Sequence, residues 1–139
     1  MRALIDTNVL LDVFGTREPF LAHSAAVWSL AEKGNVDGLV SAVSYTTVFY
    51  MMRRWSGREA AAKAVRLLRD SFGLAVCDSF VINRAIDSDL PDFEDAVQYF
   101  SALHAEADCI ITRNAPDFPR RPALPVLSPA EFLAQFEAE

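Results

Sequence analysis

Three aspartates from distant parts of this 139-residue chain, Asp6, Asp95 and Asp117, are the side chains best placed to do chemistry together. Asp6 follows the apolar run Ala3-Leu4-Ile5. Asp95 stands near the start of an apolar-periodic segment, and Asp117 lies just beyond Ile110-Ile111-Thr112. A lone acid at such a place is ordinary, because helix N-termini favour acids through capping and the helix dipole. Asp92 and Asp95 also have a capping-box-like spacing. Capping does not account for a convergence of three. Two carboxylates about 4 Å apart repel by roughly 4 kcal/mol at an effective dielectric near 20, so a cluster needs a proton or a cation. With no His nearby in sequence and only oxygen donors, the expected cation is hard, Mg²⁺ or Mn²⁺. Water on such an ion is more acidic and can attack a phosphodiester, while the ion steadies charge on the phosphate.

The elements that must position these acids read as short buried strands alternating with amphipathic helices. Strands are expected at Ala3–Asp6, Leu39–Val43, Leu74–Cys77, Cys109–Thr112 and Val126–Leu127. Thr7 is the expected cap of the first helix, which runs through Asn8-Val9-Leu10-Leu11. Helices follow at Phe20–Lys33, with Pro19 at a first helical position, and at Tyr45–Trp55, broken by Ser56-Gly57. Further helices span Arg58–Phe72, Val81–Ile86, Asp92–Ala107 and Pro129–Phe136, and residues 113–125 read as a loop. This alternation predicts a three-layer α/β/α sandwich around a parallel sheet of about five strands, in one domain over 1–139. Right-handed crossovers bring every strand's C-terminal end to one edge, where such sheets bind ligands. Asp6, Ser44, Thr47, Asp78, Asp92, Asp95, Arg113, Asn114 and Asp117 all fall at that edge.

Composition narrows the class. With 52% hydrophobic residues, a net charge of −6 and no apolar run near the ~18 residues of a membrane span, a soluble, cytoplasmic domain is expected. Cys77 and Cys109 lack metal-ligand spacing and read as reduced thiols. Charge is unevenly placed: Arg53–Arg69 holds six cations and one acid, and Asp78–Asp108 holds eight acids and one cation. Both stretches are compatible with ordinary solvated helix faces. Arg53, Arg54, Arg58 and Arg113 are the candidate phosphate contacts, since guanidinium forks suit phosphate oxygens.

Taken together, Leu4-Ile5-Asp6-Thr7-Asn8-Val9-Leu10-Leu11-Asp12, Val40-Ser41-Ala42-Val43-Ser44, Asp92-Phe93-Glu94-Asp95-Ala96 and Ile110-Ile111-Thr112-Arg113-Asn114 with Asp117-Phe118 resemble a PIN domain over essentially the whole chain. The resemblance implies an Mg²⁺- or Mn²⁺-dependent ribonuclease, of the kind found as the VapC-type toxin of toxin–antitoxin pairs and often dimeric. It further implies an RNA substrate and an antitoxin partner. Carried over by position, Asp6 and Asp95 match the first and third family acids. Asn114 stands where many members have Asp and others Asn, and Asp117 matches a further acid beside it. Thr47 departs from the pattern, standing where a Glu is usual, and cannot donate a carboxylate. A subgroup with the Arg17–Phe20 stretch and a Tyr50–Arg54-like helix shares that departure, and Glu94 or Asp92 could supply a substitute oxygen.

Thr7, Asn8, Thr47, Asp92 and Thr112 are expected to support the acids. Asp12 reads equally as a holder of the ligands or a solvent-facing acid, and Asp78 as a helix cap. His104 is expected to be partly packed, and Trp28, Phe49, Tyr50 and Trp55 to serve core or dimer surface. Haloacid-dehalogenase phosphatases want an Asp where Asn8 stands. Receiver domains want paired acids and a Lys that are missing, and no nucleotide-binding glycine motif occurs. The remaining rival is a catalytically silent PIN module that binds RNA or protein.

Overall fold

A computed structural model describes residues 1–119 and 123–138. Five strands, β1 (Arg2–Ile5), β2 (Asp37–Ser41), β3 (Gly73–Ala75), β4 (Cys109–Ile111) and β5 (Val126–Leu127), form one parallel sheet in the order β3-β2-β1-β4-β5. The helices among the described residues are α1 (Thr7–Phe14), α2 (Leu21–Glu32), α3 (Ala42–Ser56), α4 (Arg58–Ser71), α5 (Ser79–Asp87), α6 (Phe93–His104) and α7 (Pro129–Ala138). Strands this short and this apolar are stable only when both faces are covered. The pleat divides them: Ala3, Ile5, Val40, Cys109 and Ile111 pack with side chains of α1, α2, α3, α4 and α7. Leu4, Leu39, Ala75 and Ile110 face Tyr99 and Ala102 of α6, against which α5 packs through Val81, Ala85, Ala96 and Val97. This is the expected three-layer sandwich. Close packing requires glycine at Gly38, where an added Cβ would lie 2.8 Å from the Phe72 ring and 2.9 Å from the Ala31 Cβ. None of the described helices is long and apolar enough to cross a membrane.

Several boundaries differ from expectation, each for a local reason. Asp6, not Thr7, caps α1: its carboxylate accepts from the Thr7 N–H at 2.8 Å. Ser41 caps α3, its hydroxyl accepting from the Val43 N–H at 3.3 Å, so Ala42 and Val43 are helical and β2 runs earlier than Leu39–Val43. The third strand stops at Ala75 because its only partner, β2, ends opposite it at Ser41. Asp78 then caps α5 from the Val81 N–H at 3.1 Å, as expected, and α5 extends beyond Val81–Ile86. The expected loop over 113–125 lies partly outside the described residues; its described part contains a 3-10 turn at Ala115–Asp117.

Strand β1 pairs with β2 on one side and β4 on the other, and the chain reverses its direction across the sheet there. The C-terminal ends of β1 and β4 therefore flank the crevice in which open α/β sheets bind ligands.

Candidate metal centre

Asp6 stands at that crevice, directly after β1. Its carboxylate is nearly fully buried and held from two sides. One oxygen takes the Thr7 N–H, and the other takes the Thr112 hydroxyl at 2.7 Å and the Asn8 amide at 3.3 Å. Thr112 follows β4 and its hydroxyl also accepts the Asn114 N–H at 3.0 Å, so one side chain ties the first acid to the Asn114 turn. Asp95 arrives from the opposite layer. Asp92 caps α6 by accepting the Asp95 N–H at 2.9 Å, which fixes the backbone and leaves the Asp95 carboxyl free of capping duty. No hydrogen bond among the described residues ends on that carboxyl.

The two buried acids are out of balance with their surroundings. Burial, opposed by the Thr112 and Thr7 hydrogen bonds and aided by Glu94 and Asp92, pushes Asp6 from 3.8 up to about 6. Burial and then the charges of Asp6, Asp92, Asp117 and Glu94 push Asp95 up to about 7. Asp117, exposed at the end of the 3-10 turn, thus lies within the field of Asp95. The rim acids Asp92, Glu94 and Asp117 are all exposed. Among the described residues no three of these side chains stand close enough to cage an ion unaided. The donor set nonetheless suits a hard ion, which is commonly held through one or two carboxylates together with water and substrate phosphate. Asp6 and Asp95 would hold it, with Asp117 and Asn114 at its outer side.

Thr47 does not enlarge this carboxylate set: its hydroxyl turns back to the Val43 carbonyl at 3.4 Å. One turn earlier, the buried Ser44 meets Thr7 at 2.7 Å, hydroxyl to hydroxyl, and the Gln98 amide donates to both, at 2.8 and 2.9 Å. Thr7 in turn reaches a Glu94 oxygen at 3.5 Å. Sequence reasoning missed Gln98. The available signal was a polar residue one helical turn after Asp95, between the apolar Val97 and Tyr99.

Asp12 is neither solvent-facing nor a ligand holder at the acids. It is fully buried and gripped by Arg113, Nε to Oδ2 at 2.6 Å and Nη2 to Oδ1 at 3.1 Å, with Arg17 Nε 3.1 Å from Oδ1. Arg113 is therefore committed in large part to an internal ion pair, unlike the exposed Arg53, Arg54 and Arg58. His104 lies away from the acids, half-exposed, 3.3 Å from Asp78 and against the Phe80 ring. Trp28 belongs to the core, packed edge-on to Phe14 and Phe72, whereas Tyr50 and Trp55 are exposed. A cavity of about 690 Å³ beside α3 and α4, lined by Tyr45, Val65, Phe72 and Leu74, contains none of the acids.

The family model of the PIN domain matches residues 2–115. The chain belongs to that family. Its fold is similar to that of a toxin–antitoxin complex from Klebsiella pneumoniae, at 21% identity and a TM-score of 0.68, covering 91% of this chain and 97% of that one. VapBC2 from Rickettsia felis, solved bound to a DNA fragment from its promoter, matches at 14% identity and TM-score 0.67, over 91% and 97% of the two chains. VapC20 of Mycobacterium tuberculosis, described as a sarcin–ricin loop cleaving toxin, matches at 12% identity and TM-score 0.63, over 78% and 86%. No curated protein matches the sequence significantly.

Proposed function

We propose that this chain is a divalent-metal-dependent endoribonuclease and the toxin of a toxin–antitoxin pair. One observation supports the reading: Asp6 and Asp95 are both buried at the sheet's switch point, the charge of Asp6 is felt at Asp95, and no cationic side chain among the described residues is bonded to either. The guanidiniums of Arg17 and Arg113 are drawn off to Asp12. A Mg²⁺ or Mn²⁺ ion, when bound, would acidify a water and neutralise phosphate charge. The protein's own part is positional. Thr112, Asn8 and the Thr7 N–H fix the Asp6 oxygens. Asp92 fixes the turn that carries Asp95. The Thr7–Ser44–Gln98 triangle fills the buried floor with neutral donors. Asn114 and Asp117 stand at the open side, and the exposed Arg53, Arg54 and Arg58 supply phosphate contacts at a distance.

The rim of Asp92, Glu94 and Asp117 suits a basic antitoxin segment laid over the pocket, in keeping with the antitoxin complexes named among the similar structures. A cytoplasmic homodimer is part of the same reading, with exposed Tyr50 and Trp55 available to an interface. The test is cleavage of a structured RNA in Mg²⁺ or Mn²⁺. Activity is expected to vanish with EDTA and in Asp6→Asn and Asp95→Asn. Equal cleavage by the variants would remove the site assignment, and an inactive wild type that still binds RNA would favour the silent binding module.

A further inference from the structure

Asp12 is one buried carboxylate set against two partly exposed guanidiniums, so the group it forms with Arg17 and Arg113 carries an excess of one positive charge. Arg113 spends Nε and Nη2 on Asp12; its Nη1 makes no hydrogen bond among the described residues. The guanidinium lies 3.8 Å over the Phe20 ring, whose residue is 39% exposed. It forms one wall of a cavity of about 190 Å³ lined also by Phe20, His23, Ser24, Ser128 and Ala130. That is room for about six water-sized groups. The start of α7 forms another wall. Ser128 and Glu131 cap each other there, at 2.9 and 3.1 Å, and the Ala130 N–H is left without a partner among the described residues. A guanidinium edge, an imidazole and the positive end of a ten-residue helix thus share one hollow.

This hollow adjoins the acids. The Arg113 backbone N–H donates to Asn8 Oδ1 at 3.2 Å, and Asn8 Nδ2 donates to Asp6 at 3.3 Å, so the Asn8 side chain and the Arg113 side chain together link the acids to the hollow. A pocket of carboxylates repels every phosphate of a strand, and a cationic hollow on one side sets where the strand can settle.

We propose that the cavity seats a backbone phosphate of the substrate RNA next to the bond being cut. The phosphate bonds Arg113 Nη1, His23 and the Ala130 N–H, and its nucleotide lies along the Phe20 ring. The inference rests on the ribonuclease reading, and its test separates the two. A fluorescent RNA stem-loop is titrated by anisotropy in EDTA, where no cleavage occurs, against wild type and the exposed-site variants His23→Glu and Ala130→Glu. Asn83→Glu on α5, in the opposite layer, makes a comparable change in charge as a control. Each cavity variant is expected to weaken RNA binding about tenfold. Each should also lower the salt slope by about one, with Asn83→Glu near wild type. Mn²⁺ binding is measured on every variant and should stay unchanged. Losses as large in Asn83→Glu would reveal a general field effect and overturn the proposal. Undiminished RNA binding by both cavity variants would overturn it while leaving the ribonuclease reading standing. A wild type that binds no RNA would overturn both. Inorganic phosphate, followed through the His23 ring resonances, supplies the last arm: phosphate binding at the cavity without any effect of the variants on RNA would assign it to a small anion and reject the proposal.

Discussion

Without divalent ions, the folded protein should lose stability as the solution moves from mild acid to neutrality. Asp6 is raised from 3.8 to about 6, with burial the largest cause. Between about pH 4 and about pH 6 the native state keeps a proton that the unfolded chain has released, so stability falls as pH rises through that window. About two pH units correspond to about 3 kcal/mol. Asp95, raised to about 7 by burial and its acidic neighbours, acts with the same sign up to neutrality. Allowing for water at the pocket mouth, its share is about 2 kcal/mol. Asp95→Asn removes that share while keeping the shape of a protonated carboxyl. Urea unfolding in EDTA should therefore show the variant matching wild type near about pH 4 and exceeding it by about 2 kcal/mol near about pH 7.5. Adding Mg²⁺ at the higher pH should raise the wild type and not the variant, since an ion that binds only the native site stabilises by mass action. A variant that is less stable than wild type in EDTA at neutral pH would refute the reasoning, because the Asp95 charge would then be supporting the fold.

Other expectations follow from the same geometry. Asp12→Asn strips two guanidiniums of their buried partner and should cost about 3–5 kcal/mol, read as a lower urea midpoint with an unchanged slope. Replacing Arg53 and Arg54 by Gln should weaken RNA binding and reduce its salt slope by about 1–2, with Mn²⁺ binding and the urea midpoint unchanged. A salt slope equal to that of wild type would remove these residues from the RNA contacts.

How much of this could be read from the sequence depends on how local each cause is. The alternation of apolar strands with helices, the caps at Asp78 and Asp92, and the convergence of segments at one sheet edge are written in short stretches. The β2 boundary was not, because Ser41-Ala42-Val43 reads as more strand until its serine is seen to cap α3. The fate of Asp12 was hidden for a different reason. Its principal partner, Arg113, is 101 positions away, and spacing on a helix cannot reveal a side chain's tertiary partner. The same gap hid the pairing of two Arg113 nitrogens with Asp12. Gln98, Ser44 and Thr7 likewise lie on three elements, and only the packed fold shows that one amide closes them into a triangle. Thr47 could be read as a missing carboxylate, though not as a hydroxyl turned toward its own helix.

The central claim is that Asp6 and Asp95 together hold a divalent cation. Titrating the metal-free protein with Mn²⁺ and following the free-ion signal by electron paramagnetic resonance tests it without relying on any RNA. Saturable binding at neutral pH, abolished in Asp6→Asn and in Asp95→Asn and displaced by Mg²⁺, is the predicted result. Mn²⁺ binding that survives both substitutions, or a wild type that takes up no Mn²⁺ at all, would contradict it.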